Sequence, residues 1–219
     1  MVAIARSRLA IKRSADCCRA RGRLAVRISL VCFNGMEELD LVGPWEVLRM
    51  WQLQHPDDGV EVFTASLDGE TVTCAKGMKI VTDMAMSQVG EVDVLLVPGG
   101  QGTRRLIEEE PVLSAMREHA DRGTLMTSVC TGSLVYAAAG LLARRPATTH
   151  WSAMDLLARI DGTIELRPDD RYVDDGMIIT ASGVSAGIDM ALHLVSRLHS
   201  PERAKQVKRD IQYDPQPPV

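Results

Sequence analysis

The chain has 219 residues, of which 46% are hydrophobic, and its mean hydropathy of -0.02 is ordinary for a globular protein. No apolar run reaches the roughly 18 residues that a membrane-spanning helix needs. The net charge is -4, which gives no electrostatic reason to expect nucleic-acid binding. We therefore expect a protein that binds neither membranes nor nucleic acid, with a length that suits one large α/β domain.

The charge is unevenly distributed along the chain. Residues 1–24 carry seven basic side chains and one acidic side chain, so they hold +6 and leave -10 on the remainder. This segment is rich in Arg and poor in acids, as targeting peptides are, but it lacks the apolar core of a signal peptide. We expect residues 1–24 to be a basic, disordered N-terminal extension, or translation from an upstream start, and residues 25–219 to form a single domain.

The five cysteines do not suit a disulfide framework, because their number is odd and no CxxC pair occurs. The histidines show no ligand-like spacing to the cysteines, so we also expect no structural metal. A reducing cytoplasm is then the expected location. The residues concerned are Cys17, Cys18, Cys32, Cys74 and Cys130, with His55, His119, His150, His193 and His199.

Short apolar runs that alternate with helical patterns predict an α/β fold, a sandwich of three layers around a mostly parallel central sheet. The predicted strands are 27–33, 60–66, 92–97 and 125–129, with a short extended piece at 147–150 and hairpins at 70–81 and 171–181. The predicted helices are 36–54, 113–121, 131–139, 152–160, 185–199 and 201–211, followed by an extended tail at 214–219. Pro44 predicts a break or kink in the first helix.

The stretch 124–142, TLMTSVCTGSLVYAAAGLL, passes from a strand to an alanine-rich helix without a linker. Its centre, Ser128-Val129-Cys130-Thr131-Gly132, has the small-x-nucleophile-x-Gly form of a nucleophile elbow. A cysteine at a helix N-terminus meets the positive end of the helix dipole, which favours the thiolate. The pattern predicts Cys130 as a nucleophile, and buried packing is the alternative for a lone cysteine.

Three segments follow predicted strands, at the edge of the sheet where open α/β proteins place their sites. They are the loop after Phe33, the loop Pro98-Gly99-Gly100 after Val97, and Cys130 itself. The amides of Gly99 and Gly100, with those of the elbow, could form an oxyanion hole, and a tight turn with positive φ is the alternative. Neither GxGxxG nor GxxxxGK[ST] occurs, so these glycines do not predict a nucleotide site.

Two titratable residues could assist Cys130. Asp40 lies among apolar residues, and if it is buried near the thiol its pKa rises and the protonated carboxyl can act as a general acid. The alternative is an acid that only interacts with the helix dipole. His150 is the nearest downstream imidazole and would support the thiol only within hydrogen-bond reach. No histidine directly follows Cys130, so a full hydrolytic triad is not expected.

These motifs together resemble the PfpI/ThiJ superfamily over roughly residues 26–216. The resemblance rests on ELDLVGPWEV at 38–47, VPGG at 97–100, VCTG at 129–132, ATTHW at 147–151 and SAGID at 185–189. It implies the flavodoxin-like α/β sandwich of the class I glutamine amidotransferase-like fold, and homodimers with the active site near the subunit interface.

Within that superfamily the chain is most similar to the isonitrile hydratase type, which has Asp where many relatives have Glu and Thr directly after the cysteine. A tail like residues 212–218 is shared as well. The resemblance implies Cys130 as nucleophile, Asp40 as acid, Thr131 as a supporting hydroxyl, and a small-molecule substrate without any cofactor. The implied reaction adds water to an isonitrile through a cysteine thioimidate and releases an N-substituted formamide.

Three other functions remain open at this point. The same residues could act on a glyoxal or another small electrophile. Similar domains form the sensor half of AraC-type regulators, and because only 20 residues follow His199 we expect at most a free-standing sensor. A redox protein in which Cys130 is oxidised to a sulfinic acid is the third.

Overall fold

The computed structural model describes residues 25–215. The predicted extension at 1–24 and the last four residues of the predicted tail lie outside the described residues. The strands are β1 (Val26–Cys32), β2 (Val60–Ser66), β3 (Val72–Thr73), β4 (Lys79–Ile80), β5 (Met84–Ala85), β6 (Val94–Val97), β7 (Leu125–Val129), β8 (Pro146–Ala147), β9 (Glu165–Leu166), β10 (Tyr172–Asp174) and β11 (Ile178–Ala181). The helices are α1 (Glu38–Gln54), α2 (Thr103–Leu106), α3 (Glu110–Asp121), α4 (Gly132–Ala138), α5 (Met154–Ile160), α6 (Ala186–Leu198) and α7 (Pro201–Asp210).

Within residues 25–215, seven strands form the central sheet in the order β10-β11-β7-β6-β1-β2-β5. Every neighbouring pair is parallel except β10 and β11, which form the predicted antiparallel hairpin. Helices α1, α6 and α7 pack together on one face, and α2 to α5 pack on the other. This confirms the predicted α/β sandwich with a mostly parallel sheet.

The strands that lead to the site are apolar because both faces of the sheet are covered. All four residues of β6 are buried, and so are the last five of β1 and the last four of β7. Such continuous apolar runs explain why the sequence predicted these strands to within two residues at each end. The short strands β5, β8 and β9 have two residues each and give no comparable signal.

The prediction of a break at Pro44 was wrong, because α1 is one continuous helix with Pro44 inside it. A proline in this position removes one backbone hydrogen bond, and tertiary packing must offset that loss. The ring of Pro44 packs against α6 at Gly187, where a Cβ would lie 3.2 Å from Cγ of Pro44. One residue earlier, a Cβ at Gly43 would lie 3.1 Å from Cγ1 of Ile188. The close packing of the two helices therefore offsets the loss at Pro44, and α1 continues through the proline.

The hairpin of β3 and β4 lies over the loop that follows β1. The amide of Gly35 donates to the carbonyl of Thr73 at 2.8 Å, and the amide of Ala75 donates to the carbonyl of Met36 at 2.8 Å. The hairpin thus borders the sheet edge at which the three predicted site segments meet. None of the helices in the described part of the chain is long and apolar enough to cross a membrane.

Candidate active site

Cys130 lies on a strained turn between β7 and α4, as the elbow motif predicts. Its φ is 55°, in the left-handed region that residues with a Cβ rarely adopt. The turn is fixed by the Cys130 amide, which donates to Ala181 at 3.0 Å, and by the Cys130 carbonyl, which accepts from the Thr149 hydroxyl at 2.9 Å. A Cβ at Gly132 would lie 2.1 Å from the carbonyl oxygen of Val97, so only glycine fits there.

Strands β1, β6 and β7 are neighbours in the sheet, so the loops at their carboxyl ends meet. Gly99 lies at the centre of this meeting point. A Cβ at Gly99 would be 2.6 Å from the amide nitrogen of Thr131, 2.7 Å from Oδ2 of Asp40 and 2.8 Å from Cβ of Cys130. The structure therefore brings Asp40, Gly99, Cys130 and Thr131 into one small volume.

Asp40 is a fully buried carboxyl group on the first turn of α1. Its Oδ2 accepts a 3.0 Å hydrogen bond from the amide of Gly99, while no group in residues 25–215 hydrogen-bonds its buried Oδ1. Burial raises the pKa of Asp40 to about 7, although the Gly99 amide and the Cys130 thiol act in the opposite direction. At neutral pH this carboxyl can both accept and donate a proton.

The sequence predicted a thiolate at Cys130, and the structure shows the opposite tendency. Burial, followed by the nearby charge of Asp40, raises the pKa of Cys130 to about 12. The Thr131 amide and hydroxyl lower the pKa of Cys130 as hydrogen-bond donors, but they do not outweigh burial. Helix α4 has only seven residues, and Cys130 is 7% exposed, so desolvation prevails over the helix dipole. Between about pH 7 and 12 the pair holds one proton, mainly on sulfur.

The amides of Gly99 and Gly100, expected from the sequence to face a substrate oxyanion, have hydrogen-bond partners within the protein. The Gly99 amide is bonded to Asp40, and the Gly100 amide donates to Oγ1 of Thr131 at 2.9 Å. Only glycine fits at position 100, since φ there is 119° and a Cβ would lie 2.4 Å from the amide nitrogen of Glu37. The two glycines therefore hold the acid and the supporting hydroxyl in place.

Thr131 is buried and belongs to a polar cluster that sequence reasoning did not detect. The fully buried Thr103, in the first turn of α2, donates its hydroxyl proton to the carbonyl of Gly100 at 2.7 Å and lies 3.2 Å from Oγ1 of Thr131. Nη1 of Arg104 donates to the Thr103 hydroxyl at 3.1 Å and to the Gly100 carbonyl at 3.2 Å. Because this cluster is assembled by a four-residue helix, no periodic pattern could have predicted it.

His150 follows Thr149 at the edge of the elbow, but the structure does not pair its ring with the thiol. Its Nδ1 faces the Ser152 hydroxyl at 2.8 Å, and its ring packs against Gly183 and lies tilted by 37° to the ring of Trp151. The groups that alter the pKa of Cys130 belong to Asp40 and Thr131. The geometry thus gives His150 no direct part in proton transfer at sulfur.

The tip of the β3–β4 hairpin adds charge next to Asp40. The ammonium group of Lys76 pairs with the carboxylates of Glu37 and Glu38, and the Lys76 amide donates to Oε1 of Glu38 at 2.6 Å. The Glu37 amide in turn donates to the carbonyl of Gly99 at 2.9 Å. Across the described ranges, no group of three or more Cys, His, Asp or Glu side chains is arranged to hold a metal ion.

Comparison with known proteins places this geometry in a family. Residues 26–197 match the model of the DJ-1/PfpI family. The chain is 39% identical over 195 residues to isonitrile hydratase from Pseudomonas putida, covering 89% of this chain and 82% of that protein. It is 29% identical over 155 residues to the glutathione-independent glyoxalase DJR-1.2 from Caenorhabditis elegans, covering 70% of this chain and 81% of the relative.

The fold comparison agrees with the sequence comparison. A ThiJ/PfpI family protein from Pseudomonas syringae superposes with a TM-score of 0.79 at 32% identity, covering 89% of this chain and 78% of that chain. The resemblance drawn from the motifs is thereby confirmed. The chain belongs to the DJ-1/PfpI family.

Proposed function

We propose that this protein hydrates small isonitriles to N-substituted formamides, with Cys130 as the nucleophile and Asp40 as the group that carries the proton. The observation that carries the proposal is the buried Asp40 carboxyl beside the Cys130 thiol, with one oxygen held by Gly99 and the other unpartnered. The 39% identity to isonitrile hydratase supports this substrate class.

The first step begins with Cys130 as a thiol and Asp40 as a carboxylate. Asp40 accepts the thiol proton and passes it to the terminal carbon of the isonitrile as sulfur attacks that carbon. One S–C bond and one C–H bond form, and the carbon–nitrogen triple bond becomes a double bond. The product is a thioimidate on Cys130, and the proton that left sulfur is now on carbon.

The Thr131 amide and hydroxyl stabilise the sulfur as its negative charge develops, because both lower the pKa of Cys130. The second step adds water to the thioimidate carbon. Asp40 takes a proton from that water and delivers it to nitrogen, which leaves a hydroxyl group on the carbon. The C–S bond then breaks as the proton of that hydroxyl passes through Asp40 to sulfur. An N-substituted formamide leaves, and the thiol of Cys130 is restored with no net change in oxidation state.

The experiment that tests the function is turnover of cyclohexyl isocyanide, with N-cyclohexylformamide detected by chromatography. Asp40→Asn should lower kcat/KM at least on the order of 10²-fold, the contribution of a positioned general acid–base group. Asp161→Asn is the matched control, because that carboxyl only bonds Thr163 within its own turn. Failure of the wild-type protein to form any formamide would remove the proposal.

The similarity to a glyoxalase points to a second substrate class, the glyoxals, on which Cys130 and Asp40 could also act. Methylglyoxal therefore belongs in the same assay. Conversion of methylglyoxal without any turnover of isonitriles would reassign the reaction. Tight binding of either compound without turnover would instead favour the free-standing sensor.

The proposal extends to a homodimer in the cytoplasm. Helix α1 leaves Leu39 and Val42 more than one third exposed, and a groove of about 340 Å³ runs between α1 and the β3–β4 hairpin beside Trp45. Apolar surface on both sides of one helix suits an isologous contact with a second copy. The free thiols of Cys32, Cys74 and Cys130 suit a reducing compartment.

A further inference from the structure

The segment 147–151 contains His150, whose ring is not paired with the thiol, and the reaction as proposed gives this segment no part. Its fully buried Thr149 nevertheless reaches the nucleophile. The Thr149 hydroxyl donates to the carbonyl oxygen of Cys130 at 2.9 Å, from a position 19 residues further along the chain. Thr149 is therefore bound to the backbone of the residue that carries the sulfur.

The carbonyl of Cys130 has a second buried hydroxyl donor. Oγ of Ser133, a fully buried residue in the first turn of α4, donates to the same oxygen at 3.1 Å. The amide of Ser133 lies at 3.5 Å from it, at the limit of a hydrogen bond. A carbonyl oxygen has two lone pairs, and here two hydroxyl protons fill them. The two hydroxyls therefore fix the direction in which this carbonyl points.

The direction of that carbonyl also sets the direction of the Thr131 amide. The peptide bond between Cys130 and Thr131 is trans, so its C=O and its N–H point in opposite directions. Because Thr149 and Ser133 hold the carbonyl, the N–H points away from these two residues. The Thr131 nitrogen borders the site, since a Cβ at Gly99 would lie 2.6 Å from it and 2.8 Å from Cβ of Cys130. In agreement with this placement, the Thr131 amide lowers the pKa of Cys130.

The turn needs such support because the conformation of Cys130 is strained. Its φ of 55° lies in the left-handed region, where a residue with a Cβ stays only if its surroundings hold it there. The segment that carries Thr149 is itself fixed to the sheet, because the amide of Thr148 donates to Oγ1 of Thr180 at 2.9 Å. Thr180 directly precedes Ala181, whose carbonyl accepts from the Cys130 amide. The Cys130 backbone is thus held at both its amide and its carbonyl.

From these contacts we infer that Thr149 is a positioning residue for the nucleophile. Its hydroxyl holds the Cys130–Thr131 peptide group in the orientation that presents the Thr131 amide to the sulfur. Ser133 has the same role from within α4. Neither hydroxyl touches the reacting atoms, and both act through the backbone of the turn. The inference rests on the proposed function for its place in the reaction, but the orientation of the peptide group does not depend on the substrate.

The loss of the Thr149 hydroxyl should have a specific consequence. Valine has nearly the shape of threonine, so Thr149→Val removes the donor to Cys130 and little else. The carbonyl then keeps only the hydroxyl of Ser133, the strained turn relaxes, and the Thr131 amide turns from the sulfur. A thiolate at Cys130 is thereby less stable. Thr149→Ser keeps the hydroxyl and should behave as the wild type does.

The test measures the rate at which iodoacetamide alkylates Cys130 between about pH 7 and 9.5, followed by mass spectrometry of the peptide that contains it. Alkylation requires the thiolate, so its rate reports how well the charged sulfur is stabilised. Thr149→Val should slow alkylation about tenfold, the order expected when a hydrogen bond to a charged group is lost. Ser133→Ala should also slow it, by a smaller factor, because the Ser133 bond is longer.

Thr148→Val is the matched control, from the adjacent residue. Thr148 is also fully buried, but its hydroxyl oxygen has no hydrogen-bond partner within residues 25–215. This variant should leave the alkylation rate of Cys130 unchanged and raise the free energy of unfolding in urea, because an unpartnered buried polar group is removed. Cys32 and Cys74 are internal controls, since both are buried free thiols that the same digest reports.

The two internal controls separate positioning from a general loosening of the fold. In Thr149→Val, the alkylation rates of Cys32 and Cys74 should equal those of the wild type. If both rates rise, the valine variant has loosened, and Ser133→Ala then decides the test, because alanine suits a helix and leaves Thr149 in place.

The inference is overturned if Cys130 is alkylated at or above the wild-type rate in Thr149→Val while Cys32 and Cys74 are unchanged. The same follows if wild-type reactivity persists in Ser133→Ala after the valine variant has loosened. A Thr149→Ser variant as slow as Thr149→Val would also overturn it, because the hydroxyl would then not be the cause.

No isonitrile is used, so these outcomes are independent of whether isonitrile hydration is the reaction. Where it is, Thr149→Val should lower kcat for cyclohexyl isocyanide in step with the alkylation rate and leave KM unchanged.

Discussion

The amide of Gly99 donates a 3.0 Å hydrogen bond to Oδ2 of Asp40, and this bond joins the loop after β6 to the first turn of α1. It holds one carboxylate oxygen still and leaves the other unpartnered beside Cys130. Gly99 also allows the turn at Cys130 to approach Asp40, because Asp40, Cys130 and Thr131 border the space that a side chain at position 99 would fill. The geometry of the acid and the nucleophile thus depends on one residue that has no side chain.

Gly99→Ala should therefore separate the acid from the thiol. The added Cβ would lie 2.6 to 2.8 Å from Thr131, Asp40 and Cys130, so at least one of them must shift. We expect kcat/KM for cyclohexyl isocyanide to fall at least on the order of 10²-fold, as a displacement of about 1 Å can cause. Gly162→Ala is the control, since its Cβ would contact only Ala158 at 3.8 Å. Near-normal activity in Gly99→Ala would show that close contact is unnecessary.

The pH dependence of the reaction should follow the protonation of the pair. The reactive form has a single proton shared by Asp40 and Cys130, and the pKa values of about 7 and about 12 bound the range in which it exists. We expect kcat/KM to rise as pH increases through about 7 and to stay level up to pH 10, measured against a buffer blank. A rate that falls between pH 6 and 8 would contradict this assignment.

Stability should depend on pH through the same carboxyl. Burial raises the pKa of Asp40 from an ordinary 3.8 to about 7, so between these values the folded protein binds a proton that the unfolded chain has released. The stability that this proton confers is present at low pH and is lost as pH rises to 7. Asp40→Asn has no titrating carboxyl at this position and lacks the effect. Between pH 5 and pH 8, its free energy of unfolding in urea should therefore rise by about 3 kcal/mol relative to that of the wild type. If the difference in free energy of unfolding between variant and wild type does not change with pH, Asp40 lies in a polar environment instead.

The proposed dimer can be tested on the exposed face of α1. Val42→Glu places a charge in the groove between α1 and the β3–β4 hairpin and should convert a dimer to a monomer in analytical ultracentrifugation. Leu53→Glu is the control, because Leu53 is 62% exposed near the far end of the same helix. A wild-type protein that sediments as a monomer at micromolar concentration would end this part of the proposal.

The strands and the place where they converge were predictable from the sequence because burial on both faces leaves continuous apolar runs. β2 was predicted to the residue, and Cys130, Asp40 and the glycine loop were expected at one edge of the sheet. The electrostatic state of the site was not predictable in the same way. The helix dipole can be inferred from a pattern, but the desolvation that raises the pKa of Cys130 depends on every neighbour that covers it.

The partners of the glycine amides were missed for a related reason. A sequence shows that Gly99 and Gly100 follow a strand, but only the fold shows that Asp40 and Thr131 already occupy their amides. Pro44 was misjudged because its effect on α1 is offset by packing on Gly187, a contact distant in sequence. Local patterns thus identified the residues of the site, while their hydrogen-bond partners were set by long-range packing.

The central claim is that the sulfur of Cys130 forms the bond to the substrate, and Cys130→Ala tests it most directly. Cys32→Ala is the matched control, because Cys32 is another buried cysteine with a pKa raised to about 12 and lies at the end of β1. With cyclohexyl isocyanide as substrate, formamide production by Cys130→Ala should fall to the rate of the buffer blank while Cys32→Ala retains its activity. Full activity in Cys130→Ala would contradict the mechanism.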